Sequence, residues 1–149
     1  MTDGDGERVG GVVGGRGRLE VQQRLEAAPA DAARLSFDFV EGALRQPQRV
    51  QQAAALWRRC GASIGLEHAG AKLHQLAELH WLGLDYVKID GALLQGVASV
   101  PAVRELARGL VVLLRGMGLL VLAEAVSDEA DLAVLWALGF DGATGPAVR

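Results

Sequence analysis

The stretch "LGLDYVKIDGALLQG", residues 82–96, decides how this chain is read. An apolar run ends with Lys88 and Asp90 flanking Ile89. Helices that cover a parallel sheet leave its strands apolar almost throughout. A buried strand that finishes in a cation and a carboxylate delivers charge to the edge where it emerges. The segment "DYVKID" (85–90) therefore predicts a strand whose end carries chemistry.

Outward from that strand the chain alternates. Residues 18–28 predict a helix with Leu19, Gln22, Leu25 and Ala28 along one side. "RLSFDFVE" (34–41) reads as a strand. Pro47 opens a helix that shows Val50, Ala54, Trp57 and Cys60 on one face and stops at Gly61. "ASIGLEH" (62–68) is a strand, and 71–82 a helix closed by Gly83. Ser99 is expected to cap a long helix starting at Pro101 and bearing Val103, Leu106, Leu110 and Leu114 inward. "LLVLAEAV" (119–126) is a strand. Ser127 is expected to cap the next helix, with Asp128 and Glu129 at its positive end and Leu132, Leu135 and Trp136 facing in. "FDGATGPAV" (140–148) is a last short strand or loop. Strands and helices in this alternation argue for parallel βαβ units and an α/β fold. Right-handed crossovers then bring the strands' C-terminal ends to one face.

The strand endings place Glu41, Glu67, His68, Lys88, Asp90 and Glu124 at that edge. In α/β sheets and (β/α) barrels it is where active sites lie. Converging carboxylates there suit hard divalent cations, and two such ions can activate water against a phosphodiester. Lys88 is suited to neutralising a phosphate oxygen or holding the attacking water.

Composition bounds the rest. With 149 residues, half of them apolar, the chain is long enough for one domain with a real core. A net charge of −3 gives no footprint for nucleic acid. The single cysteine, Cys60, excludes a disulfide within the chain and fits a reducing, cytoplasmic setting. The start, "MTDGDGERVG", lacks the pattern of a secretory leader. The greasiest segment, 109–126, is broken by two glycines and Arg115, so no membrane span is expected. Residues 1–17 read as a flexible or irregular segment, and "GGVVGGRG" lacks the ending of a phosphate-binding P-loop. His74 and His80, six apart on one predicted helix, fall on different faces. Trp57, Trp81 and Trp136 are expected to pack between helices and strands.

Taken in order, these segments resemble the EAL domain, the cyclic-di-GMP phosphodiesterase and receptor family. "LSFDFVE" is similar to the family's strand ending in Thr-Glu, with Glu41 as its Glu. "LGLDYVKID" resembles the Lys-Ile-Asp strand, and "GASIGLEHAG" occupies the place of the segment ending Asp-Asp-Phe-Gly. "GLLVLAEAVSDEADLAVLWALGFDGATG" follows the pattern Ala-Glu-Gly-Val-Glu, a helix, then Leu-Gly-x-Asp-x-x-Gln-Gly. The resemblance implies a partial or incomplete (β/α) barrel of the EAL, TIM-barrel-like type. Residues 18–149 then form a truncated, degenerate EAL-like domain.

The departures shape the functional expectation. The family's metal-holding Asp-Asp pair is Glu67-His68. Its Gly after Ala-Glu is Ala125, the following Glu is Ser127, and the Gln-Gly is Thr144-Gly145. The Glu-Ala-Leu motif is absent. A two-metal site tolerates little such change, because metal spacing sets the geometry of attack. The pattern is most similar to the degenerate LapD-type receptors. It implies a cyclic-di-GMP receptor or regulatory module with no catalytic residues, in which Glu41, Glu67, His68, Lys88, Asp90 and Glu124 line the nucleotide mouth. No cofactor is expected. Mg²⁺ or Mn²⁺, on Glu41, Glu67, Asp90 and Glu124, enters only with residual phosphodiesterase activity. The alternatives are that residual enzyme, or an interaction module without nucleotide. A protein partner or homodimer is expected to cover an exposed apolar edge.

Overall fold

The computed structural model describes Gln23 and residues 26–70 and 79–149. The segment 1–17 and most of the helices expected at 18–28 and 71–82 lie outside those residues, as does His74. Five strands, β1 (Ser36–Val40), β2 (Ser63–Ala69), β3 (Tyr86–Ile89), β4 (Leu120–Ala123) and β5 (Gly142–Ala143), form one parallel sheet in sequence order. The chain divides into two compact units, one running to Leu66 and taking in 79–84, the other comprising 67–70 and 85–149 among the described residues.

In the first unit, β1 alternates rather than being apolar throughout. Phe37 and Phe39 are buried while Ser36 and Val40 are exposed, as the spelling F-D-F dictates at a period of two. Both rings stack on Trp57, with centroids at 4.5 and 5.7 Å. Trp57 is carried by α1 (Pro47–Arg59), which buries Val50, Ala53, Ala54 and Trp57 on one stripe. Pro47 sits at its first turn, where a missing N–H costs nothing. Cys60 is the residue after the helix and is half-buried. The Ser63 N–H donates to the Leu35 carbonyl at 3.0 Å, joining the starts of β1 and β2. The segment 79–81 is a 3-10 turn, on which His80 lies 4.8 Å from the Trp81 ring.

In the second unit, β3 and β4 pair in parallel from Tyr86 with Leu120 to Ile89 with Ala123, and β5 extends β4 with Gly142 and Ala143. Val87, Ile89, Val121 and Ala123 are fully buried. α2 (Pro101–Gly116) packs on β4 and buries Ala107, Leu110, Val111 and Leu114. The buried stripe thus runs through the small Ala107, and Leu106, expected inward, is turned out. One helical step is about 100°, enough to carry a neighbour of the stripe to its border. α3 (Glu129–Leu138) buries Leu135, and Gly139 ends it at φ 96, a left-handed conformation that glycine adopts without strain.

Both helix starts differ from expectation. Asp128, not Ser127, caps α3, accepting from the N–H groups of Ala130 at 2.7 Å and Asp131 at 3.1 Å. A carboxylate adds charge–dipole attraction to the same hydrogen bonds. No side chain caps α2. Ser99 Oγ instead donates to the Gly96 carbonyl, and the Arg104 guanidinium holds the carbonyls of Val97 and Ala98. The last two tryptophans also differ. Trp81 and Trp136 are 63% and 46% exposed, and only Trp57 packs inside. No described helix is long and apolar enough to cross a membrane.

Asp141 ties the second unit together. One carboxylate oxygen accepts from Arg115 at 2.5 Å and the other from the Val121 N–H at 2.9 Å, linking the end of α2 to β4. Burial by itself raises the Asp141 pKa, but the Arg115 hydrogen bond, the Val121 N–H and the Arg115 charge together hold it below the usual carboxylate range. Stability from the ionised form is present above the unfolded value of about 3.9 and is lost as pH falls through the folded one. Asp141→Asn is therefore expected to cost about 1–2 kcal/mol near neutral pH by urea denaturation, with a smaller deficit in acid. A deficit unchanged between neutral and acidic pH would contradict this account.

Candidate functional site

The site is built where β3 and β4 end. The pairing of Ile89 with Ala123 makes the next residues, Asp90 and Glu124, leave the sheet side by side. The Glu124 N–H donates to the Ile89 carbonyl and the Asp90 N–H to the Ala69 carbonyl, both at 3.0 Å. Gly91 follows, and a Cβ there would strike the Glu124 carbonyl oxygen. Only glycine lets these two strand exits approach so closely. At Ala125 the backbone turns to φ 54, which ends β4 short of the expected 126.

Glu124 is the one buried charged residue among those described. Its Oε2 lies 3.0 Å from both the backbone nitrogen and Nδ1 of His68. His68 itself takes the left-handed conformation, φ 52, uncommon for a residue other than glycine. That turn aims its N–H and its ring at one carboxylate oxygen. Glu67, His68 and Glu124 together place one donor atom each within 4.8 Å of one another. Lys88 stands close enough for its charge to favour ionised Glu124, and its Nζ lies 5.6 Å from the Tyr86 ring centroid. The Glu124 pKa is nonetheless raised. Burial is the largest cause and Glu67 adds to it, against the His68 N–H and the charges of His68 and Lys88.

The remaining expected site residues are placed differently. Asp90 Oδ1 accepts from the Ala92 N–H at 2.9 Å and so caps the helical turn Gly91–Leu94. Asp90 stands outside the Glu67–His68–Glu124 cluster. Glu41 opens the 3-10 turn Glu41–Arg45 after β1, in the first unit.

Beside Asp90 and Glu124 lies a cleft of about 170 Å³, lined by Gly91, Ala92, Leu94, Gln95, Ala125, Val126, Ser127, Asp131 and Leu135. Asp131 fixes its wall by accepting from the N–H groups of Gly96 at 2.8 Å and Ala98 at 2.9 Å. Sequence reading did not single out Gln95 or Asp131. Asp131 sits within the first turn of a helix, where an acid is accounted for by the dipole alone, so no local signal separates it.

Two carboxylates and an imidazole can hold a metal, neutralise a proton donor or accept from a ligand's N–H groups. Mg²⁺ demands oxygen ligands in near-octahedral order and surrenders its waters reluctantly. One imidazole, with Lys88 nearby, departs from that donor set.

The family model for the EAL domain matches residues 18–149. This chain belongs to the EAL domain family. It is 29% identical over 119 residues to the cyclic di-GMP phosphodiesterase NbdA of Pseudomonas aeruginosa, a match covering 78% of this chain and 15% of NbdA. The fold is similar to the FimX EAL domain of Pseudomonas aeruginosa bound to c-di-GMP, at a TM-score of 0.82 and 21% identity, covering 91% of this chain and 56% of that one. It is also similar to LapD of Vibrio cholerae, an S helix-GGDEF-EAL chain bound to c-di-GMP, at a TM-score of 0.78 and 19% identity, covering 89% and 32%. The chain thus spans a small part of NbdA and about half of the FimX domain. The five parallel strands and their helices are those of a partial, TIM-barrel-like EAL fold.

A carboxyl group whose pKa is raised by folding favours the native state in its protonated form. That stability is full below the unfolded value of about 4.3 and is lost as pH rises through the folded one. Glu124→Gln keeps an oxygen for the His68 N–H and removes the titration. The EAL variant is expected to show a flatter profile of urea midpoint against pH across the acid range than the parent. Parallel profiles would show that Glu124 does not titrate with folding.

Proposed function

We propose that this EAL domain is a cytoplasmic cyclic-di-GMP receptor or regulatory module that binds the dinucleotide without hydrolysing it efficiently. The observation that carries this reading is the double contact of His68, through its N–H and its ring, on Glu124 Oε2. Two-metal hydrolysis needs carboxylates free to set the spacing of hard cations. Here one carboxylate oxygen is already engaged by two nitrogens, and an imidazole replaces a second acid of the family pattern. Glu41, Glu67, His68, Lys88, Asp90 and Glu124 are proposed to line the ligand mouth, with Lys88 facing phosphate oxygens. The FimX and LapD relatives, each solved with c-di-GMP, support nucleotide binding on this fold. A protein partner or a second copy is proposed to receive the signal. NbdA, a cyclic di-GMP phosphodiesterase, supports the second reading, a residual metal-dependent enzyme on the same residues.

Calorimetric titration with cyclic-di-GMP, with and without Mg²⁺ or Mn²⁺, combined with chromatography of the product, tests the choice. Binding with no linear product, weakened roughly tenfold by Lys88→Ala, is the expected result. Metal-dependent product that disappears in Glu41→Gln would replace the receptor with the enzyme. Neither binding nor product would leave an interaction module.

A further inference from the structure

The segment 95–100, "QGVASV", leads from the turn Gly91–Leu94 into α2 and carries no charged residue. Two charged side chains from two different helices nevertheless hold it. Asp131, in the first turn of α3, accepts from the Gly96 N–H at 2.8 Å on one carboxylate oxygen and from the Ala98 N–H at 2.9 Å on the other. Arg104, near the start of α2, donates Nε to the Val97 carbonyl at 3.2 Å and Nη2 to the Ala98 carbonyl. The remaining groups close within the chain nearby. The Gly96 carbonyl accepts from the N–H groups of Ser99 and Val100, and the Val97 N–H donates to the Leu94 carbonyl. Every backbone donor and acceptor of residues 96–98 is therefore engaged, most of them by a charged side chain. Bonds of that kind are roughly twice as strong as neutral ones. A plain connection between two elements has no need of them, because water can satisfy an exposed backbone.

We propose that Asp131 and Arg104 are positioning residues, which clamp residues 96–98 so that the stretch Asp90–Gln95 stands fixed at the ligand mouth. The inference rests on the receptor reading and adds to it the groups that hold the mouth in shape. A single helical turn does not hold itself, because nucleation costs more than its few hydrogen bonds return. The turn Gly91–Leu94 is fastened at its start by Asp90 Oδ1, which accepts from the Ala92 N–H. The clamp fastens its other end. There Gln95 leaves the helical conformation at φ −59 and ψ 126, and Gly96 follows at φ 81, where glycine is at ease. The Asp90 carboxylate and the Gln95 amide thus stand at the two ends of one short rigid piece. Gln95, Ser127 and Asp131 are the polar residues of the cleft, above the buried Leu94 and Leu135. The Gln95 amide offers both donors and an acceptor to a ligand's polar edge. Asp131 acts on that edge through the backbone it holds.

Calorimetric titration with cyclic-di-GMP, together with amide hydrogen exchange followed by NMR, tests the clamp. Asp131→Ala removes both acceptors and is expected to lower cyclic-di-GMP affinity roughly tenfold. It is expected to speed exchange at Gly96 and Ala98 by about 100-fold, while the buried Val87 and Val121 exchange as in the parent. Arg104→Met keeps the side-chain stem, removes the donors and is expected to weaken binding in the same direction. Acting from the other helix, it carries the test if Asp131→Ala does not fold. Glu129→Gln takes the same charge from the same turn of α3 and is expected to leave affinity unchanged. Gln95→Ala separates positioning from general stability. Added to Asp131→Ala, it is expected to cost little further affinity, since the amide is already displaced. Unchanged affinity in both Asp131→Ala and Arg104→Met overturns the proposal. So does a loss matched by Glu129→Gln, faster exchange spread over the sheet, or losses from Asp131→Ala and Gln95→Ala that simply add. Each of those results leaves the receptor reading standing, because the parent still binds. A parent chain that binds no cyclic-di-GMP overturns the receptor reading and the proposal with it.

Discussion

The arrangement rests on one buried carboxylate. Glu124 leaves β4 at the point where the sheet ends, and burial opposes its ionised form. Such a group persists in a fold when hydrogen bonds and charges meet it. Here they come from His68, twice, and from Lys88. The carboxylate therefore does two things at once. It holds an oxygen against the His68 ring, and it fixes the backbone of β2 at the turn out of the strand. A change at either end of the contact acts on both.

Local backbone geometry makes this contact possible. The hydrogen bonds from Asp90 to Ala69 and from Glu124 to Ile89 step each strand exit against its neighbour. Gly91 then lies against the Glu124 carbonyl, in space a side chain would occupy. His68 and Ala125 both hold positive φ, where an L residue with a Cβ costs roughly 1–2 kcal/mol. Strain of this kind survives where the surrounding structure over-determines it, and such residues cluster at ligand sites. The two strained residues flank the two sides of the same carboxylate, one touching it and one following it. They are paid for by the packed strands beneath, whose Val87, Ile89, Val121 and Ala123 are closed to solvent.

Much of this was legible in the chain. Among the described residues, the apolar runs and their glycine and proline punctuation located four strands and three long helices, with the fifth strand read as a short strand or loop, because burial on a two- or 3.6-residue period leaves a direct trace in residue choice. The ends were less legible. β4 stops at Ala123 because of the φ of Ala125, and nothing in an alanine announces a left-handed turn. Asp128 took the cap from Ser127 because the two are adjacent and both able. Trp81 and Trp136 show the limit of counting large apolar residues as core, since an amphipathic stripe has borders and an indole can sit on one. At the site, the charges at the ends of β3 and β4 were readable from position alone. What was not readable is that Asp90 spends an oxygen on its own turn while His68, from the neighbouring strand, reaches Glu124. That pairing depends on register and on one dihedral angle, neither of which has a residue type of its own.

The consequence for the family resemblance lies in what a single position changes. An aspartate beside Glu67 would add a negative charge to a pocket that already desolvates Glu124, and such a cluster holds together only around a strongly charged ion. Histidine reverses the balance. Its backbone N–H and its ring nitrogen both stand 3.0 Å from Glu124 Oε2, so that carboxylate is met from within the chain. Through His68 the contact to Glu124 is made within the chain, from one residue and by two nitrogens.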